Sequence, residues 1–467
     1  MNGNDRPRVT LVTSNGWGLG HLSRAIAIAI AIGERADVTM FSFSRGLPLA
    51  SRFGTRGEFC PGPISTWIPQ ERWNEYVLRR FELFLSEVEA DVVLFDGVAP
   101  YLGVINALSE HPAISAGWLR RGMWQRSRTE AQLTKSSDFD FVIEPGDLAS
   151  EVDQGPTSQL EAIRVAPVSL LEVIPLLDRE EAASELGLDP VKPTLLFAVG
   201  SGQPGETEEV RRAALERALG HDAWQVGVVK SPLSTREPDE APGVVELEGV
   251  YPLMRYLAAF DAAISAAGYN SVHELIPAGV PTLLVPKSAS NTDDQVTRAS
   301  FLAGRGLALM AEDDDLDGVR RQVDSLLSDG GERLRASLAD HEEQAMTGGA
   351  REIADTLTSS PPPRIRKTAP AEEEHRPWFK GSLKRAIGPR GVELVQRALG
   401  REPEMPRRAV VSLNGDDAGI PRLVVTSDLE AVARSAEHPV EHILPGATAD
   451  YEELRHSLIK EFYEVVP

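Results

Sequence analysis

Short apolar runs that alternate with helical stretches constrain the fold of this chain more than any other feature of its sequence. The strand-like runs are RVTLVTS, DVTMFSF, DVVLFDG, TLLFAVG, DAAISAA and TLLVP. Apolar runs separated by helices are typical of parallel sheets that are covered on both faces. The sequence therefore predicts an α/β protein, and a length of 467 residues predicts two or three domains.

Two Rossmann-like domains and a C-terminal extension fit the order of these runs. The first domain is predicted over residues 1–170. The second is predicted over residues 193–357, because PTLLFAVGSG opens a new strand and glycine turn. Residues 358–376 combine prolines with charge, which indicates a linker. Residues 377–467 form the extension, and their pattern indicates no chemical role.

Several helices follow from apolar spacing. The Ala and Ile run at residues 25–32 alternates like a strand, but its place after a glycine-rich turn favours a buried helix. A second helix carries its apolar side chains on one face, and these are Val77, Phe81, Phe84, Leu85 and Val88. Residues 332–357 are also predicted to be helical. In the extension we expect a basic helix at 380–401 and a strand at 422–426.

Composition excludes some classes of function. A formal net charge of −22 disfavours nucleic-acid binding, because the phosphate backbone would be repelled. The single cysteine, Cys60, excludes an intramolecular disulfide and a cysteine-cluster metal site, so we expect it to pack in the core. No apolar run has the length of a signal peptide or a membrane span. We therefore expect a cytoplasmic protein.

The segment from Ala266 to Gln295, AAGYNSVHELIPAGVPTLLVPKSASNTDDQ, is typical of a nucleotide-sugar site. A buried strand leads to a turn at Gly268, and a helix is expected to begin at Asn270 or Ser271 and to end near Gly279. The unpaired N–H groups of a helix start stabilise a pyrophosphate. Taken alone, the same residues also fit an ordinary strand, turn and helix with a capping Asn.

The longer pattern resembles the donor-binding signature of B-fold glycosyltransferases. It comprises GYNSVHE, AGVP, and DQ followed by Arg298 and Ala299. The peptidoglycan N-acetylglucosaminyltransferase and the UDP-glycosyltransferases of plants and antibiotic pathways carry such a pattern. The resemblance implies two Rossmann-like domains that face a cleft.

The resemblance also assigns donor-binding residues in the second domain. Glu274 would hold the ribose hydroxyls, and Asp294 and Gln295 would bind hydroxyls of the transferred sugar. The residues that would face the pyrophosphate are Gly268, Tyr269, Asn270 and Ser271. Those families often place His or Arg two residues before the glycine, whereas this chain has Ala266. Phosphate binding would therefore rely more on main-chain N–H groups.

A second motif, SNGWGLGHLSRA, follows the first strand and precedes a helix. Its glycines, including Gly18 and Gly20, allow a ligand to approach the main chain. His21 follows them, and an imidazole that titrates near neutral pH can accept a proton from an attacking hydroxyl. A structural or exposed histidine is the alternative interpretation.

The motif GHLSR also resembles the matching loop of the B-fold transferases. Plant-type members use a histidine there as a base and orient it with an aspartate after a later strand. Asp96 ends the run DVVLFDG, so the resemblance implies a hydrogen bond from His21 to Asp96. Asp96 also fits a turn or helix cap.

Two further segments of the second domain are weaker candidates. Ser201 in the turn GSGQPGE would lie near phosphate, although such turns often only connect a strand to a helix. EGVYPL resembles the segment that holds the nucleotide base, with the main chain of Val250 pairing to uracil. Tyr251 in that segment also fits a core or surface aromatic.

An arginine-rich segment, GWLRRGMWQRSR, interrupts the acidic sequence at residues 117–128. Arg120 and Arg121 are candidates for contact with an anionic acceptor or a membrane surface. The alternative is a solvated arginine cluster with packed Trp118 and Trp124.

The function that these patterns favour is transfer of a sugar, with inversion, from a nucleotide-sugar donor to an acceptor hydroxyl. UDP is the expected nucleotide, because the resembled families commonly use it. The nucleotide sugar is a co-substrate, and no metal or other cofactor is expected. The acceptor remains open among lipid-linked, glycan and small-molecule classes, and a peripheral contact with the inner face of the membrane fits the first. A nucleotide-sugar epimerase or hydrolase, and a non-catalytic donor-binding regulator, are the alternatives.

Overall fold

The computed structural model describes residues 6–14, 18–62, 70–126, 128–199, 208–233, 241–288, 293–341 and 347–359, with strands at 410–415, 421–426 and 439–442. The chain divides into two compact units. One comprises residues 1–363 and 460–467, and the other comprises residues 364–459. The first unit contains two α/β lobes, as the alternating apolar runs predict.

The first lobe is a parallel sheet with strand order β3-β2-β1-β4-β5-β6-β7. Its elements are β1 (Arg8–Thr13), α1 (Gly20–Ile32), β2 (Asp37–Ser42), α2 (Pro48–Ser51), β3 (Arg56–Phe59), α3 (Gln70–Val88), β4 (Val92–Asp96), α4 (Leu102–Glu110), β5 (Ser115–Leu119), β6 (Phe141–Pro145) and β7 (Ile163–Val165). Short 3-10 turns lie at Gly33–Arg35, Arg128–Asp138, Ser150–Val152 and Leu170–Glu172. The strand order reverses between β1 and β4, and ligands bind α/β sheets at the carboxyl ends of the strands at such a point.

The second lobe is also a parallel sheet, with strand order β10-β9-β8-β11-β12-β13. Its elements are α5 (Arg179–Leu186), β8 (Thr194–Ala198), α6 (Glu208–Leu219), β9 (Gln225–Lys230), β10 (Val244–Glu248), a 3-10 turn (Leu253–Ala259), β11 (Ala262–Ser265), α7 (Tyr269–Leu275), β12 (Thr282–Leu284), α8 (Gln295–Gly304), β13 (Leu309–Met310), α9 (Leu316–Leu326) and α10 (Asp329–His341). All six predicted strand runs are therefore strands of the two parallel sheets.

The cores follow the apolar patterns. The run at residues 25–32 is a helix, as predicted, and most of its side chains are buried in α1. Val77, Phe81, Phe84 and Leu85 of α3 are buried on one face, and Val88 is partly buried beside them. Cys60 is buried, and burial raises the pKa of its thiol well above the ordinary value. Packing is the role that this position supports.

The last helix of this unit, α11 (Gly349–Thr358), packs against α1 of the first lobe. Sequence patterns place it in the second domain, within one helical region that begins at Glu332. The structure instead has two helices, and α11 returns to the first lobe because its apolar face, which includes Ile353 and Leu357, is buried there. The N–H of Ala350 donates to the Glu172 carboxylate at 2.9 Å.

The second unit contributes three strands to the description. They are β14 (Val410–Gly415), β15 (Pro421–Thr426) and β16 (Pro439–His442). β14 pairs antiparallel with both β15 and β16. The predicted strand at 422–426 is confirmed within β15. The predicted helix at 380–401 and nearly all of the predicted linker lie outside the described residues.

The close approach of α11 to the first lobe generates a prediction. A Cβ added to Gly349 would lie 1.9 Å from the carbonyl oxygen of Ala166, whereas a Cβ on Gly304 would meet no atom within 4 Å. We expect Gly349→Ala to lower the free energy of unfolding by about 1–3 kcal/mol through overpacking. The matched change Gly304→Ala should stay within about 1 kcal/mol of the wild type. Equal melting temperatures for the two variants would contradict this packing.

Candidate active site between the lobes

The predicted contact between His21 and Asp96 is present in the structure. Asp96 ends β4, next to β1, and His21 lies in the first turn of α1, which follows β1. His21 Nδ1 is 2.8 Å from Asp96 Oδ1. The carboxyl group is buried, whereas the imidazole keeps about 15% of its surface exposed. The pair therefore lies at the strand-order reversal, where an α/β sheet binds ligands.

Arg24, one helical turn after His21, completes this cluster. Its Nε and Nη2 donate to the two oxygens of Asp96 at 3.0 and 2.8 Å, and its Nη2 lies 2.7 Å from His21 Nδ1. When Nδ1 carries the imidazole proton, it donates to Asp96 and leaves the Nε2 lone pair available. Asp96, held as an anion by Arg24, favours this tautomer. In it, Nδ1 and Arg24 Nη2 both donate to Asp96 Oδ1, and their 2.7 Å approach is a contact between two donors and not a hydrogen bond.

The electrostatics of the pair suit a base. Burial is the largest influence on the pKa of His21 and lowers it below its ordinary value. Asp96 opposes this shift, while the charges of Arg24 and Arg121 reinforce it. Burial alone would raise the pKa of Asp96, but Arg24 and His21 bring it below its ordinary value. His21 is therefore neutral and Asp96 ionised at neutral pH.

A small recess opens beside this pair on the face of the first lobe. The space inside it is too tight to hold a water molecule, so it is not a preformed ligand pocket. We call it the His21 recess, and it is lined by His21, Asp96, Gly97, Val98, Leu119, Arg121 and Trp124. Entry of an acceptor hydroxyl or of a nucleotide sugar would therefore require the lobes to separate.

The glycine turn after β11 and helix α7 are close to their predicted positions. Helix α7 begins at Tyr269 with Gly268 as its N-cap, one or two residues before the predicted start. It ends at Leu275, and Gly279 takes the expected positive φ of 71°. Gly268 has an ordinary φ of −68°, and a Cβ there would meet no atom within 4 Å. The turn does not require this glycine, but the space beside it is open.

The side chain of Tyr269 is directed away from any donor. It is buried, and its hydroxyl group accepts a hydrogen bond from the N–H of Val168 and donates to the carbonyl of Gly146, both at 3.0 Å. Its ring stacks on His273 and faces Arg121. Only the main chain of Tyr269 remains for the predicted donor role, because packing against the first lobe occupies the side chain.

Asn270 also reaches the first lobe. It lies inside α7, whose N-cap is Gly268, so it is not the capping residue. The amide nitrogen donates to the carbonyl of Gly20 at 3.3 Å, and the amide oxygen accepts from Arg24 Nη1 at 3.2 Å. We call residues 268–271 the donor loop, after their predicted role, and His21, Arg24 and Asp96 the His21 cluster. Asn270 therefore joins the donor loop to the His21 cluster. Ser271 is partly buried in the same turn, and Gly18 is exposed.

Glu274 follows one turn later on α7. Burial raises the pKa of its carboxyl group to about 8. No ion pair joins this carboxyl group to another described residue. The carboxyl group is therefore mostly protonated at neutral pH, and its predicted ribose contact stays a prediction.

The side chains of Asp294 and Gln295 have structural partners. Asp294 caps α8 by accepting from the N–H of Thr297 at 3.1 Å, and Gln295 Oε1 accepts from the N–H of Lys287 at 3.2 Å. The main chain next to them pairs with the first lobe, because the N–H of Asp294 donates to the carbonyl of Met123. Their predicted sugar contacts therefore need these bonds to be shared or exchanged.

The two acceptor-side arginines differ. Arg120 is fully buried and donates to Glu144 at 3.0 Å, so its predicted role in acceptor contact is wrong. Its guanidinium packs over Trp118, which supplies the apolar contact that an exposed arginine would lack. Arg121 lines the His21 recess, and its Nη1 lies 3.6 Å from Asp293. The recess can therefore present Arg121 to an acceptor.

The remaining candidates are less defined. Ser201 lies outside the described residues. Val250 is partly buried and follows Gly249, whose φ is positive. The hydroxyl of Tyr251 lies 2.9 Å from Ser23 Oγ of α1, so this aromatic belongs to the contact between the lobes.

The donor-binding signature includes Arg298 and His273, but sequence patterns missed that these residues hold the lobes together. Arg298, fully buried in α8, donates to Asp147 of the first lobe at 2.9 Å and to Asp293 at 2.9 Å. Burial alone would raise the pKa of Asp293, but Arg298 and Arg121 bring it to about 2. His273 Nε2 accepts from the N–H of Leu148 at 3.0 Å. These partners are far apart in sequence, so periodicity cannot find them, whereas Arg24 could be found by its one-turn spacing from His21.

No group of three or more His, Cys, Asp or Glu side chains among the described residues is arranged to hold a metal ion. No helix in that part of the chain is long and apolar enough to cross a membrane.

Comparison with known proteins relates part of this chain to a glycosyltransferase domain. The profile of the glycosyltransferase family 28 C-terminal domain matches residues 250–357, which include the donor loop and α8. The chain is 25% identical over 371 residues to a Corynebacterium jeikeium protein, covering 75% of this chain and 95% of that protein. It is 30% identical over 195 residues to a Clavibacter sepedonicus protein, covering 40% and 53%. The chain spans about half the length of the Clavibacter sepedonicus protein and of several other curated relatives it matches.

Solved structures show the same fold. Spinosyn forosaminyltransferase SpnP superposes with a TM-score of 0.55 at 16% identity, covering 76% of this chain and 98% of that one. Glycosyltransferase SnogD from Streptomyces nogalater has a TM-score of 0.52 at 18% identity, covering 76% and 99%. Both relatives named above carry the name UDP-N-acetylglucosamine–N-acetylmuramyl-(pentapeptide) pyrophosphoryl-undecaprenol N-acetylglucosamine transferase.

The Arg298 cluster predicts a difference between two ion pairs that join the lobes. Arg298→Met would leave Asp147 and Asp293 buried without their cation, so we expect a loss of about 3–5 kcal/mol in the free energy of unfolding. The exposed pair between Arg305 and Glu151 also joins the lobes, and Arg305→Met should cost about 0–1 kcal/mol. Urea denaturation of both variants measures the difference. Similar losses would show that burial of Arg298 is not what stabilises the contact.

Proposed function

We propose that the chain transfers a sugar to a hydroxyl of a lipid-linked acceptor, because it has the fold of the B-fold glycosyltransferases and resembles their family-28 and UDP-glycosyltransferase members. The observation that carries this proposal is the contact between His21 and Asp96 in a recess on the first lobe. This recess faces the lobe that contains the family-28 profile match. The position is the one where an acceptor on one lobe would meet a donor on the other.

UDP-N-acetylglucosamine is the proposed donor, because the relatives' names include it. In this proposal Glu274 binds the ribose and the main chain of Val250 binds the base. Asp294 and Gln295 bind the transferred sugar once their present bonds are exchanged. Ser201 remains a prediction for the phosphate region.

In the proposed reaction, the acceptor oxygen attacks the anomeric carbon from the side opposite the diphosphate. A bond forms between these two atoms while the bond from the anomeric carbon to the phosphate oxygen breaks. The configuration therefore inverts, and the nucleoside diphosphate leaves with the bonding electrons. His21 Nε2 takes the hydroxyl proton, and Asp96 stabilises the resulting imidazolium.

The leaving diphosphate needs compensation for its charge. We place it against the start of α7, where the first N–H to bond within the helix is that of Val272. The N–H groups before it and the open space at Gly268 suit close approach of phosphate. The proposal needs no metal ion, because main-chain donors and nearby arginines supply the positive charge. It places the protein at the cytoplasmic face of a membrane, where a lipid-linked acceptor is presented.

The base assignment predicts a specific loss of turnover. His21→Gln should lower kcat by about 10²–10⁴-fold, because it removes the proton acceptor, while donor affinity stays near that of the wild type. Asp96→Asn should also lower kcat, because it removes the anion that holds the Nδ1 proton. Steady-state kinetics with UDP-N-acetylglucosamine and a lipid-linked acceptor, together with donor titrations, separate the two effects. Full turnover by His21→Gln would exclude this residue as the base.

The proposed base also predicts the direction in which activity changes with pH. The base works when neutral, so activity should fall as pH falls through the pKa of His21, which lies below its ordinary value of 6.5. Arg121→Gln removes a positive charge that lowers this pKa. The acid limb of the kcat/KM profile should therefore move to higher pH in this variant. An unchanged limb, or a shift to lower pH, would contradict the electrostatic account.

Glu274 predicts proton release on donor binding. Its carboxyl group has a pKa of about 8 and is mostly protonated at pH 7. Ribose hydroxyls that donate to the carboxylate would lower this pKa, so binding should release protons and affinity should rise between pH 7 and 8. Calorimetry in buffers of different ionisation enthalpy measures the release. Glu274→Gln should abolish it; release that persists in this variant would assign the proton to another group.

A further inference from the structure

Arg24 connects the two lobes at the His21 cluster through all three guanidinium nitrogens. Nε and Nη2 bind Asp96, Nη2 also contacts His21 Nδ1, and Nη1 donates to Asn270 of the second lobe. Its side chain is only 2% exposed. Arg24 is therefore shared between the proposed base and the donor loop.

Asn270, in the second lobe, is held by two hydrogen bonds to α1. While its oxygen accepts from Arg24, its nitrogen donates to the carbonyl of Gly20, which directly precedes His21. Both functions of the amide therefore act on the helix start that carries His21. These bonds exist only when the lobes are together, because Asn270 belongs to α7 and its partners belong to α1.

We infer that Arg24 is a positioning residue for the His21 and Asp96 pair, and that Asn270 holds it there only when the lobes close. This inference rests on the proposed function. Without Asn270, Arg24 keeps its bonds to Asp96 but loses the anchor on Nη1 that fixes the guanidinium plane. The base is then fully oriented only in the closed state, which couples closure around a donor to proton transfer.

The pKa of the His21 imidazole can be measured independently of activity, and it responds to the position of the Arg24 charge. The charged groups that face His21 are Asp96 at the end of β4, Arg24 on α1 and Arg121 after β5. Arg24 lowers the pKa of His21 by proximity, so displacement or removal of the guanidinium should raise it. A purely structural role of Asn270 in joining the lobes would leave this titration unchanged.

The test follows the His21 imidazole in the full-length protein by ¹⁵N NMR, with His21→Gln to assign its signals. Asn270→Ala and Arg24→Gln should both move the titration of His21 to higher pH. Arg24→Lys keeps the charge without the planar fork, so its titration should move less than that of Arg24→Gln. Tyr251→Phe is the matched control, because it removes another hydrogen bond between the lobes, to Ser23, and should leave the His21 titration unmoved.

Kinetics and donor binding complete the test. Asn270→Ala should lower kcat by up to about 100-fold, as expected for a misplaced catalytic group, with the calorimetric Kd for UDP-N-acetylglucosamine within about threefold of the wild type. A tenfold weaker donor Kd with an unmoved His21 titration would overturn the inference and assign Asn270 to donor binding. If no donor is turned over, the proposed function fails, and the NMR titration alone decides the positioning role. If Arg24→Gln does not fold, the NMR titration of His21 in Asn270→Ala decides the question, because Asn270 is only partly buried.

Discussion

The structure of the first unit depends on one buried cation, Arg298. It is fully buried and bonds Asp147 of the first lobe, Asp293 of its own lobe and the carbonyl of Ala267. A buried charge is costly unless it is paired and hydrogen-bonded, so these partners must stay together. They fix the turn after β11 and the start of α8 against the end of β6. The donor loop and the His21 recess therefore meet at a defined place.

The polar contacts around Arg298 also explain why the cleft is small. Tyr269, Asn270 and His273 each direct a side chain to the first lobe, and Asp294 adds a main-chain bond. Several of these residues belong to the segment that a donor would contact. A nucleotide sugar would therefore enter when the lobes separate, and closure would restore the contacts around it. Binding and the arrangement of the base then depend on the same interface.

Much of the fold could be predicted from sequence, because apolar runs and helical spacing are local signals. The buried helix α1, the strands and the contact between His21 and Asp96 followed from such signals or from the resemblance. Burial of Arg120 could not be predicted, since its partner Glu144 comes from a neighbouring strand of the sheet. The return of α11 to the first lobe was missed because apolar spacing predicts a helix but not the lobe against which it packs.

The part of the site that local patterns left out is the part that joins the lobes. Asn270 fits a helix cap or a phosphate contact by position, yet its amide bonds Gly20 and Arg24. Only the three-dimensional arrangement shows that a residue of the donor loop reaches the proposed base.

The most direct test of the account is a calorimetric titration of the full-length protein with UDP-, dTDP- and GDP-sugars. The account predicts saturable binding of one donor per chain, with UDP-sugars preferred; absence of binding by every donor would contradict it.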